Sequence, residues 1–279
     1  HMFGNPCDIN GITEIADKIP VIEDCAQSPF SIYKGKQTGF LSTASFFSFR
    51  CGKYISAGEG SAVFCQDQDL YKKVKQIVAS FENWSTLDMI IHAFSTYVKA
   101  ALYTRPWYGL IGYPIGMRLD KKLNLTAKDG FDTGKIASSH LALIDARISN
   151  FQRKINRQRD HAQKLIDILD PNCFSLLPEN NDCINNWFQF PLRFENTVQR
   201  DQMVKYLFNQ GIDTAQYLDN IVEEARSRYG YTNDCPNAEL LSKTVLLVPI
   251  HYSLNDLDLE RIAHAINEGS QLIRGNESS

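Results

Sequence analysis

The stretch Ser48-Phe49-Arg50-Cys51-Gly52-Lys53 places a lysine on a glycine turn directly after a predicted strand. It is preceded by Ile22-Glu23-Asp24-Cys25-Ala26-Gln27 and followed by Gly58-Glu59-Gly60. An acid at the end of an apolar strand can hold a pyridine nitrogen protonated, a nearby hydroxyl can bind a phosphate, and a lysine amine can form an imine with an aldehyde. Asp24, Ser48 and Lys53 supply these groups, so the sequence indicates a site for a pyridoxal cofactor.

Each of these side chains also has an ordinary structural interpretation. A lysine on a glycine turn is usually a solvated surface group, and an acid in the position of Asp24 can cap the following turn or helix. Ser48 and Gln27 can equally be turn residues. Taken singly, the residues therefore leave both interpretations open.

Together, the three segments resemble the DegT/DnrJ/EryC1/StrS family of sugar aminotransferases. Members carry an EDAAQ-like strand end, an SFxxxK turn and a GEGG-like strand start, and the three motifs occur here in that order. The resemblance implies that Lys53 is catalytic and that Asp24, Gln27, Ser48 and Lys53 bind pyridoxal 5′-phosphate. No metal ligand is expected.

The resemblance also implies a reaction. Lys53 is displaced by an amino donor and then acts as the base that moves a proton between two carbons. The amine is finally passed to a nucleotide-linked keto-sugar, and glutamate is the usual donor in the family. The residues of this chain identify neither the donor nor the sugar.

Composition restricts the class of protein and of ligand. The 279 residues are 43% hydrophobic and 22% charged, as in a folded protein of one or two domains, which argues against a disordered or fibrous chain. The net charge of −3 is spread along the chain, so a small-molecule substrate is favoured over a nucleic-acid polymer. Seven scattered cysteines without a C-x-x-C pair are typical of reduced thiols, which predicts a cytoplasmic protein.

Hydrophobic patterning predicts an α/β chain in its first part, with ligands beyond the carboxyl ends of parallel strands. Asp8 is the predicted N-cap of the first helix. The predicted elements are a helix over residues 8–17, a strand over 20–22, a loop or hairpin over 28–39, strands over 44–49 and 58–65, and a helix over 67–78.

The second part begins with an apolar stripe from Ala137 to Ile155, which predicts one long helix running toward Leu169. Strands over 186–194 and 244–249 and helices over 199–209 and 256–267 follow. We therefore predict a partial cofactor-binding large domain over residues 1–130, and an interdomain helix with a small α/β domain over 131–279. The resemblance implies an incomplete PLP-dependent transferase large domain, aspartate aminotransferase-like and of fold type I, with a small carboxyl-terminal domain.

Residues 86–117 are apolar and aromatic. Charged residues and prolines interrupt the run, so it is too broken for a membrane span. Packing in the core or between subunits is the favoured interpretation, and contact with a membrane is not expected. A membrane surface or a hydrophobic partner is the alternative.

The chain departs from the family pattern in three places. The first third of the family fold, which supplies a backbone nest for the phosphate and an aromatic that stacks on the ring, has no counterpart here. Tyr54 replaces an asparagine, and Gly130-Phe131-Asp132-Thr133 is the best match to a GxNxR segment, although Asp132 would repel a phosphate. We therefore expect this chain alone to bind the cofactor weakly or not at all.

Three hypotheses follow from these departures. The chain is part of an authentic aminotransferase, a catalytically silent relative that serves as a binding or regulatory partner, or a protein that keeps the fold for assembly alone. In each case we expect a homo-oligomer, because family members are usually dimers.

Overall fold

The structure, a computed structural model, describes residues 1–102, 104, 106–115, 134–176, 182–216 and 219–277. The chain divides into two compact units, His1–Ser42 with Asn150–Ser279, and Thr43–Ser149. The predicted domain boundary at residue 130 and the segment 130–133 lie outside the described residues, so the domain division remains a prediction. None of the described helices is long and apolar enough to cross a membrane.

The two units contain helices and short strands in alternation. The helices are α1 Ile9–Ala16, α2 Gln68–Ala79, α3 Thr86–Leu102, α4 Ser138–Ile148, α5 Phe151–Ile168, α6 Thr197–Asn209, α7 Ile221–Tyr229, α8 Pro236–Thr244 and α9 Asp256–Glu277. The strands are β1 Ile22–Asp24, β2 Ile32–Tyr33, β3 Lys36–Gln37, β4 Ala44–Ser48, β5 Ser61–Cys65, β6 Ser175–Leu176, β7 Cys183–Ile184, β8 Phe190–Arg193 and β9 Val245–Val248.

The main core of the first unit lies between an antiparallel sheet and three helices. The sheet has the order β6-β8-β9, and α9 packs against both α5 and α6. Phe190, Leu246 and Ile266 are completely buried in this core. Burial of apolar side chains is the main source of stability in such a layer.

The amino-terminal part of the first unit confirms two sequence predictions. The Asp8 side chain accepts a hydrogen bond from the Gly11 N–H at 3.1 Å and so caps α1. The predicted hairpin is formed by β2 and β3, whose two-residue loop has φ angles of +48° at Lys34 and +77° at Gly35. Two consecutive positive φ angles are typical of the tight turns that match strand twist.

The second unit contains a five-residue antiparallel pair. Strand β4 pairs with β5 from Ala44 opposite Cys65 to Ser48 opposite Ser61, and α2 packs on β5. The strand ladders described within each unit are antiparallel, and isolated parallel bridges join Arg50 to Gly58 and Glu82 to Gly134 in the second unit. Parallel neighbours need a crossover connection, usually a helix, and the connection between β4 and β5 contains none.

The long helix predicted toward Leu169 is wrong as a single element. It is divided into α4 and α5 at Ser149-Asn150. The Ser149 hydroxyl donates to the Ala146 carbonyl at 3.1 Å, and Asn150 has the non-helical angles φ −104° and ψ 8°. Serine and asparagine compete with the helix for backbone hydrogen bonds, which explains a break at this pair.

Candidate active site

Lys53 closes a tight turn in the second unit. Its backbone N–H donates to the Arg50 carbonyl at 3.1 Å, and Gly52 at the third position of the turn has a φ of +84°. A positive φ at this position is what a type II turn requires and what glycine supplies without steric cost. The Lys53 side chain is half-buried. The glycine in the motif thus determines the backbone path that presents the lysine.

The turn is held by the backbone of the glycine-rich segment that follows it. The Phe49 N–H donates to the Gly60 carbonyl at 2.9 Å, and the Cys51 N–H donates to the Gly58 carbonyl at 3.0 Å. The Ala57 N–H donates to the Phe49 carbonyl at 2.8 Å. The SFxxxK and GEG motifs are therefore one hydrogen-bonded structure, and not two independent sites.

Side chains from α3 and α4 pack behind this segment and were not predicted. A Cβ atom on Gly58 would lie 3.4 Å from Thr96 Oγ1 and 3.6 Å from His140 Nε2. His92 Nε2 lies 3.5 Å from Glu59 Oε1, and the His92 and His140 ring centroids are 5.0 Å apart. Burial lowers the pKa of His140, and the nearby His92 lowers it further. A neutral imidazole is therefore favoured against the glycine segment.

Gly60 has less room than Gly52. At Gly60, where φ is +111°, a Cβ atom would lie 2.5 Å from Ile136 Cδ1, whereas nothing lies within 4 Å of such an atom at Gly52. We expect Gly60→Ala to lower the free energy of unfolding by about 2–4 kcal/mol, from backbone strain and overpacking together. Gly52→Ala should show the strain alone, about 1–2 kcal/mol. Urea unfolding of both variants measures the difference, and equal losses would contradict a steric role for Ile136.

Ser48 is the last residue of β4 and is half-buried. Its hydroxyl oxygen lies 3.5 Å from the Arg50 N–H, which donates to it weakly. The hydroxyl hydrogen can still be donated to an anion such as a phosphate. The geometry therefore keeps both interpretations of Ser48, as a turn residue and as a phosphate ligand.

Asp24 and Gln27 lie at the end of β1 in the first unit. Asp24 is exposed, and its Oδ1 accepts from the Ala26 N–H at 2.9 Å, which is the turn-capping interaction. Within the described part of the chain its second carboxylate oxygen has no hydrogen bond, so it could accept one from a protonated ring nitrogen. Gln27 is buried, and its Oε1 accepts from the Phe3 N–H at 2.7 Å. Gln27 therefore has a structural contact of its own.

Glu23 has a structural role that the sequence analysis did not predict. The side chain is completely buried beside the exposed Asp24, because successive residues of a strand point to opposite faces. Its carboxylate accepts from the N–H groups of Gly39 at 2.8 Å, Leu41 at 2.9 Å and Ser42 at 3.0 Å. The alternation within Ile22-Glu23-Asp24 was the available signal. Glu23 fixes the segment that leads into the second unit.

His1 and Cys25 lie close to Glu23, and potential metal-ligand atoms of the three residues lie within 4.8 Å of one another. His1 Nδ1 accepts from the Cys7 N–H at 3.1 Å, so the proton shared with Glu23 at 3.2 Å is on Nε2. Both Glu23 oxygens already accept several hydrogen bonds from the protein. A metal ion would have to displace these donors, so we assign the cluster a structural role.

The structure thus places Asp24 and Gln27 in the first unit and Ser48 and Lys53 in the second. The acid, the hydroxyl and the amine fit the groups of pyridoxal phosphate by their chemistry: the carboxylate of the exposed Asp24 for the ring nitrogen, the Ser48 hydroxyl for the phosphate and the primary amine of the half-buried Lys53 for the aldehyde. Gln27 fits less well, because its amide oxygen is engaged with Phe3.

Comparison with known proteins gives the same family as the motifs. A model of the DegT/DnrJ/EryC1/StrS aminotransferase family matches residues 1–267. A dTDP-4-amino-4,6-dideoxy-D-glucose transaminase of Shigella dysenteriae is 24% identical over 275 residues, and a GDP-perosamine synthase of Escherichia coli O157:H7 is 26% identical over 273 residues. Each alignment covers 96% of this chain and 64% of the relative, so the chain spans somewhat less than two thirds of their length.

Solved structures agree with the fold. The S. venezuelae DesV structure, in complex with a ketimine intermediate, has a TM-score of 0.73 at 20% identity, covering 97% of this chain and 64% of DesV. An aminotransferase from Psychrobacter cryohalolentis has a TM-score of 0.73 at 19% identity, covering 98% of this chain and 68% of its own. The α/β aminotransferase fold predicted from the sequence is confirmed.

Proposed function

Because the chain belongs to the DegT/DnrJ/EryC1/StrS aminotransferase family, we propose that it carries out pyridoxal phosphate-dependent transfer of an amino group to a nucleotide-linked keto-sugar. The single observation that carries the proposal is the turn of residues 50–53, which presents Lys53 half-buried. Two backbone hydrogen bonds, Cys51 to Gly58 within the turn and Phe49 to Gly60 beside it, join it to the glycine segment. A turn that holds the lysine backbone and a side chain partly withdrawn from solvent favour an aldehyde-reactive lysine.

Each proposed site residue has a separate task. Lys53 Nζ binds the cofactor aldehyde and later holds and returns the proton that moves during amino transfer. The Ser48 hydroxyl donates to the phosphate, and Asp24 accepts from the ring nitrogen and keeps it protonated. The bound cofactor supplies an electron sink. Gln27 supports the site indirectly, through its contact with the backbone of Phe3.

The substrate class is supported by the relatives. The names of the two curated relatives contain dTDP- and GDP-linked amino sugars. We propose a nucleotide-linked keto-sugar as amino acceptor and glutamate as donor for this chain. We further propose a homo-oligomer and a cytoplasmic location, as the family resemblance and the cysteine pattern predict.

Isotope transfer tests the proposal. Incubation with pyridoxal phosphate, ¹⁵N-glutamate and dTDP-4-keto-6-deoxy-D-glucose should give a nucleotide amino sugar that carries the label, detected by mass spectrometry. Glutamine labelled on its side-chain amide is the donor control, since it has no α-amino label to transfer. If the cofactor attaches to Lys53 but no labelled sugar forms with any nucleotide keto-sugar, the catalytically silent interpretation replaces this one.

A further inference from the structure

Helix α3 in the second unit exposes an apolar face. Leu87, Ile90, Ile91, Phe94 and Tyr97 are between 57% and 74% exposed. Their spacing of three and four residues places them on one side of the helix. The sequence analysis favoured packing in the core or between subunits for this segment, and within the described residues these side chains are not packed in a core.

The orientation of α3 is fixed by its opposite face. The His92 ring lies 5.1 Å from the Trp84 ring, and Thr96 packs near Gly58. The helix also begins at a defined cap, because Ser85 and Asp88 exchange hydrogen bonds of 2.6 and 3.1 Å. The apolar face therefore points outward on a well-anchored helix.

Residues 106–115 lie near the carboxyl end of α3, where a Cβ atom on Gly112 would be 2.8 Å from the Leu102 carbonyl oxygen. This segment contains no charged residue, and Trp107, Leu110 and Ile115 are 50%, 69% and 48% exposed. Tryptophan, the residue type of Trp107, is enriched at membrane–water interfaces. The surface formed by α3 and residues 106–115 is hereafter the apolar surface.

We propose that the apolar surface lies in the interface of an anionic lipid bilayer and holds the protein at the membrane from one side. At 100° per residue, the exposed apolar and alanine positions of α3 cover about half of the helix circumference, which is a broad stripe for an amphipathic helix. A protein interface also has a polar rim around its centre. Here Asp88 and Lys99 are the only charged residues of the helix, and Asp88 is engaged in the cap.

Charge in the same unit favours an anionic bilayer. Residues 43–149 contain 13 lysines and arginines against 9 aspartates and glutamates. On α2, Lys73 and Lys75 are exposed, and Lys72 pairs with Asp69 at 3.1 Å. An excess of basic side chains in the unit that carries the apolar helix strengthens attachment to anionic head groups. At a rise of 1.5 Å per residue, α3 is about 25 Å long, sufficient for a helix lying in the plane of the interface.

Vesicle flotation tests the proposal on the full chain. The protein should float with vesicles of phosphatidylcholine and phosphatidylglycerol and remain at the bottom of the gradient without lipid. Ile91→Glu/Phe94→Glu should reduce the bound fraction about a hundredfold, since each of the two side chains contributes roughly tenfold when it is buried in the apolar phase. Both positions are exposed, so circular dichroism and the thermal midpoint should stay close to those of the unchanged protein.

The matched control places the same charges on exposed apolar residues of the other unit. Tyr229→Glu/Leu257→Glu changes side chains that are 81% and 75% exposed and should leave flotation unchanged. The proposal is overturned if the unchanged protein does not float, or if the Ile91/Phe94 variant floats equally well. It is also overturned if that variant instead converts a light-scattering dimer to a monomer, because a second copy then covers the apolar surface.

Discussion

Replacing Lys53 by alanine is expected to abolish covalent attachment of pyridoxal phosphate and to lower the amino-transfer rate by about 10²–10⁴-fold. The reason is that, among the lysines that the structure describes, Lys53 alone closes the turn that is hydrogen-bonded to the glycine segment. Borohydride reduction in the presence of pyridoxal phosphate, followed by peptide mapping, should place the label on the peptide that contains residue 53. The label should be missing from the same peptide of the variant.

Two further variants make this result specific. Lys73→Ala removes an exposed lysine of the same unit and should leave labelling unchanged. Lys53→Arg keeps the positive charge but removes a reactive primary amine, so it should behave like the alanine variant. A label on another lysine, with none at residue 53, would contradict the assignment and the proposed function together.

The sequence predicted the local geometry around Lys53 well. The positions of β4, β5 and α2 follow from short apolar runs, glycines and an aspartate cap, which are local signals. Asp67, the first residue of the helix predicted over 67–78, caps α2 by accepting from the Leu70 N–H at 2.7 Å. These features depend on neighbours in the chain, so a single sequence contains most of the information that determines them.

The features that the sequence analysis did not predict are of two kinds, helices whose local signals were missed and contacts between distant residues. The Ile221–Tyr229 helix was missed although Gly230, with a φ of +66°, is a typical end signal, and the Pro236–Thr244 helix was missed although proline is favoured at a helix start. The packing of His92 and His140 behind the glycine segment has no sequence signal at all. It arises because α3 and α4 bring residues far apart in the chain to the same place.

The candidate site also contains one feature that the sequence predicted and one that it did not. The sequence analysis named Asp24 at the end of this strand as the cofactor ligand, but it gave Glu23 no role. Glu23 is buried among backbone donors while Asp24 faces outward. Their roles differ because a strand turns alternate side chains to opposite faces. The exposed acid is therefore the candidate ligand, and the buried one holds the fold.

Removing the charge of Glu23 should destabilise the first unit strongly. Burial alone raises the pKa of this carboxyl, but the hydrogen bond from His1 and those from the Gly39 and Leu41 amides outweigh it and lower the pKa to about 2. Glu23→Gln replaces one acceptor oxygen by a donor that faces other donors, so we expect a loss of roughly 3–5 kcal/mol in the free energy of unfolding. Asp24→Asn, which changes the exposed neighbour with its single backbone hydrogen bond, should cost about 1 kcal/mol or less.

The pH dependence of this stabilisation has a definite sign. The folded pKa of about 2 lies below the value of 4.5 for an unperturbed glutamate, so the contribution of Glu23 is fully present above pH 4.5. It is lost as the pH falls from 4.5 through 2, where the folded carboxylate takes up its proton. Hydrogen exchange at the amides of residues 39–42 should therefore accelerate in acid for the unchanged protein. In Glu23→Gln the same amides should exchange rapidly at neutral pH, with little further acceleration from pH 4.5 to 2 beyond that of the other amides. Equal protection in the two proteins at neutral pH would show that Glu23 does not hold this segment.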